Sequence, residues 1–76
     1  MNYKKLTKKE YQKEKEKEIR EKLDKELYYY GYFDLWLKNG TYIKGYRYEL
    51  GYPYLMIYAK DDSVIIMLKV NTIKSI

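Results

Sequence analysis

The chain has 76 residues, twelve Tyr, no Cys, no His and a formal net charge of +5. A single domain of this length buries only about 60% of the surface its unfolded chain exposes, so its stability margin is thin. The composition excludes disulfides, thiolate and imidazole metal sites, and catalysis by nucleophile–imidazole pairs. Self-association is the remaining common way for so small a chain to add burial. The positive balance points to polyanionic partners, nucleic acid first. Met1-Asn2-Tyr3-Lys4-Lys5 leads into charge instead of an apolar run, so neither a leader nor a membrane span is expected, and a cytoplasmic location is.

The first element is a helix over about residues 6–30. Residues 7–26 hold no Gly or Pro and are mostly strong helix formers. Thr7 and Glu10 have capping-box spacing, in which the hydroxyl reaches the N–H of residue 10 and the carboxylate returns to that of Thr7. Leu6 and Tyr11 occupy the two hydrophobic-staple positions. Glu16–Arg20, Glu18–Lys22 and Glu21–Lys25 stand one turn apart in the favourable order. Ile19, Leu23 and Leu27 follow one another at four-residue steps, so a narrow apolar stripe is expected to dock in the second half of the helix. Residues 12–18 carry no apolar side chain and are expected to project or pack weakly. Tyr28-Tyr29-Tyr30-Gly31 ends the helix, with Gly31 suited to a left-handed cap.

Five strands are expected over about residues 32–76. Phe33, Leu35 and Leu37 alternate with Asp34, Trp36 and Lys38, the period of a half-buried strand. Asn39-Gly40 is a strong hairpin signal. Residues 41–50 form a second strand, with Gly45 marking a bulge or bend. Gly51-Tyr52-Pro53 is a loop, residues 54–58 a third strand, residues 60–63 a polar turn, residues 64–69 a nearly unbroken apolar strand and residues 72–76 a short last strand. Short strands, tight turns and a central glycine favour a mainly β fold with an amino-terminal helix, curled into a small, strongly bent open barrel.

Leu37-Lys38-Asn39-Gly40 followed by Ile43-Lys44-Gly45 resembles the Sm-like family (LSm and Hfq proteins), where a turn after strand one is followed five residues later by a glycine at the bend of strand two. Met67-Leu68-Lys69-Val70-Asn71-Thr72-Ile73 resembles the second Sm motif. Gly51 and Leu55 stand where the family's first motif carries an acid and an Asn, and Lys69-Val70-Asn71 replaces the Tyr-Lys-His of bacterial Hfq. The resemblance spans about residues 5–76. It implies an Sm-like (SH3-like) five-stranded open barrel acting as a homo-oligomeric ring on single-stranded RNA. Strands about 64–68 and 72–76 of neighbouring copies would pair. The two RNA-facing loops would carry Tyr52 and Tyr54, and Lys69 and Asn71.

Lys44, Tyr46 and Arg47 form a second candidate surface, where basic and aromatic residues interleave as in nucleic-acid binders. Lys4, Lys5, Lys8, Lys9 and Lys13 make the start of the chain basic, a setting for non-specific phosphate contact or simply a solvated face. No catalytic constellation, metal-ligand spacing or cofactor motif is present, and Asp61-Asp62 reads as a turn. The chain is therefore expected not to be an enzyme. Two other readings remain at this point: a small SH3-like protein-interaction or structural module of viral or plasmid origin, and DNA binding through the same basic face.

Overall fold

A computed structural model describes residues 7–76. The staple residue Leu6 and the lysines at positions 4 and 5 lie outside the described residues. Helix α1 runs Lys8–Tyr30, with Thr7 as its N-cap. Thr7 Oγ1 accepts from the Glu10 N–H at 3.2 Å and donates to Glu10 Oε1 at 3.0 Å. The carboxylate thus closes the box on the hydroxyl. Gly31 takes the left-handed conformation (φ 80°) and donates its N–H to Leu27 C=O, which satisfies a carbonyl that the helix end leaves open. Glu16–Arg20 closes at 3.1 Å, while Glu18 pairs with Lys15 at 3.6 Å instead of with Lys22.

Six strands follow: β1 Phe33–Leu37, β2 Tyr42–Gly45, β3 Arg47–Gly51, β4 Tyr54–Tyr58, β5 Val64–Lys69 and β6 Ile73–Ser75, the last reached through a 3-10 turn at Val70–Thr72. They form two antiparallel sheets, ordered β2-β1-β6 and β3-β4-β5. The expected second strand is therefore two strands. It breaks at Tyr46, and the chain leaves the first sheet there to become the edge of the second. The fold is mainly β with one helix, and its two sheets do not close into a single barrel.

The reason for the break lies at Gly45. Its Cα faces Phe33 across the β1–β2 ladder, and the Phe33 ring, fully buried, lies over it. A Cβ at Gly45 would overlap the Phe33 ring, 2.6 Å from Cε2, and stand 2.7 Å from Ile57 Cγ2. Only a bare Cα lets the ring fill the corner between the sheets. The β1–β2 hairpin is closed by Gly40 N–H donating to Leu37 C=O, with Gly40 at φ 88° and Asn39 Oδ1 accepting from Thr41 N–H.

The core lies between the sheets and under the helix. Phe33, Leu35 and Leu37 of β1 face Leu50, Leu55, Ile57 and Leu68 of the second sheet. Leu23 is the one fully buried helix residue, with Ile19 and Leu27 packed beside it, so the expected stripe docks. Burying a Leu is worth about 1.5–3 kcal/mol. Two polar contacts fix the helix azimuth. Tyr48 OH donates to Asp24 Oδ1 at 2.6 Å, and Arg20 donates to Leu50 C=O at 3.1 Å. Burial, then the bond to Asp24, pushes the Tyr48 hydroxyl up to about 12, so it stays a donor throughout the neutral range.

Replacing Gly45 with Ala is expected to destabilise the fold by about 1–3 kcal/mol through overpacking. Gly45→Ala combined with Phe33→Leu should recover part of that loss, which urea denaturation midpoints of the two singles and the double will show. Equal loss in single and double variants would mean that the ring is not the obstacle.

Candidate nucleic-acid interface

The stripe that docks the helix continues past the core. Tyr11, Lys15, Ile19, Leu23 and Leu27 are spaced four apart, so neighbours in the row touch while the row winds slowly round α1, by about 40° per step. Where the stripe runs out over the sheets, it forms one wall of a groove of about 380 Å³. Tyr11, Lys15 and Lys22 line the helix side. Tyr52, Asn71, Lys38 and Lys74 line the opposite side, and Glu18 is the one acid in the lining. The Lys15 ammonium lies 5.8 Å from the Tyr11 ring centroid, so charge and π-face are presented together. Four lysines against one carboxylate make the groove electropositive, and two tyrosines supply stacking surfaces.

The backbone places this wall through the β3–β4 and β5–β6 connections. The β3–β4 hairpin turns at Tyr52-Pro53, a cis peptide, between the paired Gly51 and Tyr54. Val70 N–H donates to Pro53 C=O at 2.9 Å, which ties the two connections together. Lys38 N–H donates to Thr72 C=O at 2.8 Å and brings the β1–β2 loop to the same end.

The sequence-derived candidates fall into three places. Tyr52 and Asn71 share the groove. Asn71 and Lys38 also line an adjoining hollow of about 480 Å³ that contains Lys69, so Lys69 borders the groove. Tyr54 does not join them. It pairs with Lys69 across β4–β5 and lies on the outer face of the second sheet, alternating with the buried Leu55 and Ile57. Lys44 and Tyr46 lie apart from the groove, beside Tyr32: the Lys44 ammonium sits 4.0 Å from the Tyr32 centroid and 5.7 Å from that of Tyr46. Arg47 turns to the other sheet, where it stacks 4.1 Å from Tyr58 and pairs with Asp62 at 3.1 Å.

Sequence reading missed Tyr11, Lys15, Lys22, Lys38 and Lys74 as lining residues. For the helix residues a signal was present, because Tyr11 and Lys15 extend the Ile19–Leu23–Leu27 stripe without a change of period. Lys38 and Lys74 depend on the pairing of β6 with β1, which no local pattern reveals. Asp61 accepts from Ser63 N–H and Oγ at 3.0 and 2.6 Å, and these bonds hold its carboxyl below the usual range. It stabilises a turn. No group of three metal-ligating side chains occurs among the described residues, and no described helix is long and apolar enough to cross a membrane. Comparison with protein-family models, curated proteins and solved structures returns no match.

One carboxylate is badly placed. Glu26 on α1 has its Oε2 buried without a partner. Burial, then the charge of Asp34, raises its pKa, while the Asp34 backbone opposes the shift. A carboxyl whose folded pKa lies above its unfolded value favours folding below that unfolded value, and the benefit is lost as pH rises through the folded pKa. Glu26→Gln is therefore expected to raise the melting temperature at pH 7 by a few degrees, with the gain shrinking as both proteins are taken below the carboxylate range. A variant that melts lower than the parent at pH 7 would contradict this.

Proposed function

We propose that this chain is a non-catalytic, Sm-like single-stranded RNA-binding protein that works as a closed homo-oligomeric ring in the cytoplasm. The observation that carries the RNA reading is the groove between helix and sheets, with Tyr11 and Tyr52 as aromatic surfaces, Asn71 as a hydrogen-bonding amide and four lysines. Single-stranded nucleic acid is held by this combination: lysines neutralise phosphates, aromatic rings stack on unpaired bases, and an amide reads a base edge. Unpaired nucleotides are the favoured ligand over double-stranded DNA, because their base faces are free to stack on Tyr11 and Tyr52 while those of a duplex are stacked on one another.

The order of elements supports the Sm-like part of the proposal: a helix, then a strand, then a segment that bends at a glycine from one three-stranded sheet into another. The ring draws its support from the free borders. β5 and β6 each end a sheet and have no partner on one side among the described residues. β5 also exposes Val64, Ile65 and Met67. A free strand edge with exposed apolar side chains is normally covered, and head-to-tail pairing of β5 with β6 of the next copy closes by cyclic symmetry.

Fluorescence anisotropy with a labelled 15-nucleotide single-stranded RNA tests the site. Tyr11→Ala and Tyr52→Ala should each weaken binding about 5- to 100-fold, as expected for one lost stacking partner. Engagement of three or four lysines predicts a slope of log affinity against log salt of about −2 to −3. Unchanged affinity in both tyrosine variants, or no binding at low salt, removes the RNA reading. Light scattering tests the ring independently. The parent should show an integer multiple of the chain mass, and Ile65→Lys with Met67→Lys should give a monomer. A monomeric parent at tens of micromolar removes the ring.

A further inference from the structure

Glu18 is the one carboxylate in a groove whose lining also holds four lysines, two tyrosines and Asn71. Its side chain is 60% exposed, and the Lys15 ammonium stands 3.6 Å from Oε2, beyond hydrogen-bonding distance. An exposed pair of this kind adds little to stability. Among the described residues neither Glu18 oxygen accepts a hydrogen bond, and no ion pair crosses the groove. Lys15 precedes Glu18 by three residues and Lys22 follows it by four, so both flank it on the helix surface. Lys22 joins no ion pair among the described residues. The helix wall thus presents an acceptor with two open oxygens beside a cationic donor.

A carboxylate repels phosphate, so in a groove that holds RNA it opposes binding unless it meets N–H donors. In RNA the bases supply those donors, and the four bases differ. Uracil offers N3–H between two carbonyl oxygens, which a carboxylate repels. Adenine and cytosine each offer an amino group beside a ring nitrogen that carries a lone pair, so one carboxylate oxygen is satisfied and the other is opposed. Guanine alone sets two donors side by side, N1–H and the N2 amino group, with the O6 acceptor next to them. A carboxylate beside an ammonium is the complement of that edge.

We propose that the groove selects guanosine, with Glu18 as the specificity-determining residue. A guanine base stacked on Tyr52, on the wall opposite the helix, directs its Watson–Crick edge at α1. N1–H and the N2 amino group donate to the two Glu18 oxygens, and the Lys22 ammonium donates to O6. Lys38 and Lys74 on the same wall as Tyr52 neutralise the phosphates. The inference rests on the RNA reading of this groove and adds the base to it.

Anisotropy titrations of the full chain with labelled 15-nucleotide oligouridines that differ only at the central position test this. A central G should bind about 5-fold or more tightly than U, as one bidentate base contact provides. Inosine, which lacks the N2 amino group, should lose most of that gain, and A and C should stay within about 2-fold of U, since each offers one donor in place of two. Glu18→Gln keeps the side-chain shape but sets an amide N–H2 against a guanine donor. It should bind the central-G RNA more weakly than the parent, and the all-U RNA at least as tightly, because one negative charge beside the phosphates is gone. A carboxylate acting through charge alone would give the same gain on both RNAs. Tyr42→Ala removes an exposed ring that lies 5.2 Å from that of Trp36 on the first sheet, outside the groove, and should keep the preference. Equal affinity of the parent for the G and U oligomers overturns the proposal and leaves the RNA reading standing. So does an equal rise of both affinities in Glu18→Gln, an adenine preference that matches the one for guanine, or loss of the preference in Tyr42→Ala. No binding of any oligomer at low salt removes the RNA reading and this inference together.

Discussion

The ring of Phe33 and the bare Cα of Gly45 share one corner of the domain, and the rest of the architecture depends on that contact. The ring fills the space where the two sheets diverge. Because it does, the segment from Tyr42 to Gly51 can serve one sheet and then the other with a single residue, Tyr46, in transit. The two sheets then bring Leu35, Leu55 and Ile57, all fully buried, into one core. Close packing of this kind tolerates neither a lost methylene nor an added one without cost.

The helix is held by a different balance. Its surface is mostly charged, and Leu23 alone is fully buried. Orientation comes from Asp24 and Arg20, which engage Tyr48 and the Leu50 carbonyl on β3. The edge that receives these contacts begins just past the Gly45 corner. Helix placement, and with it one wall of the groove, thus follows from the same bend. Glu26 shows the opposing tendency, with an orphaned carboxylate oxygen on the face where α1 meets β1.

Local patterns revealed much of this. Thr7 and Gly31 mark the helix ends because capping needs a hydroxyl at one and positive φ at the other. Strands β1, β4 and β5 follow from alternation and apolar runs, and their limits agree with the structure. What was hidden is long-range. Gly45 announced a bend, but the change of sheet depends on Phe33, twelve residues earlier. Tyr52 and Tyr54 looked like neighbours on one loop. The turn at Tyr52-Pro53 and the first pair of β4 send them to different surfaces. The Trp36–Tyr42 pair could be read only with the register, which the length of the loop through Gly40 sets. The groove lysines at 38 and 74 meet because β6 returns beside β1.

The continuous stripe on α1 links the core to the groove through the pitch of the helix. Each residue turns the helix by about 100°. Inserting or deleting a single residue between Lys15 and Ile19 would leave Leu23 seated and swing Tyr11 and Lys15 away from Tyr52. Seven residues, nearly two full turns, would restore their azimuth but move them about 10 Å along the axis. The amino-terminal half of this helix is therefore constrained in length as well as in composition, although almost none of it is buried.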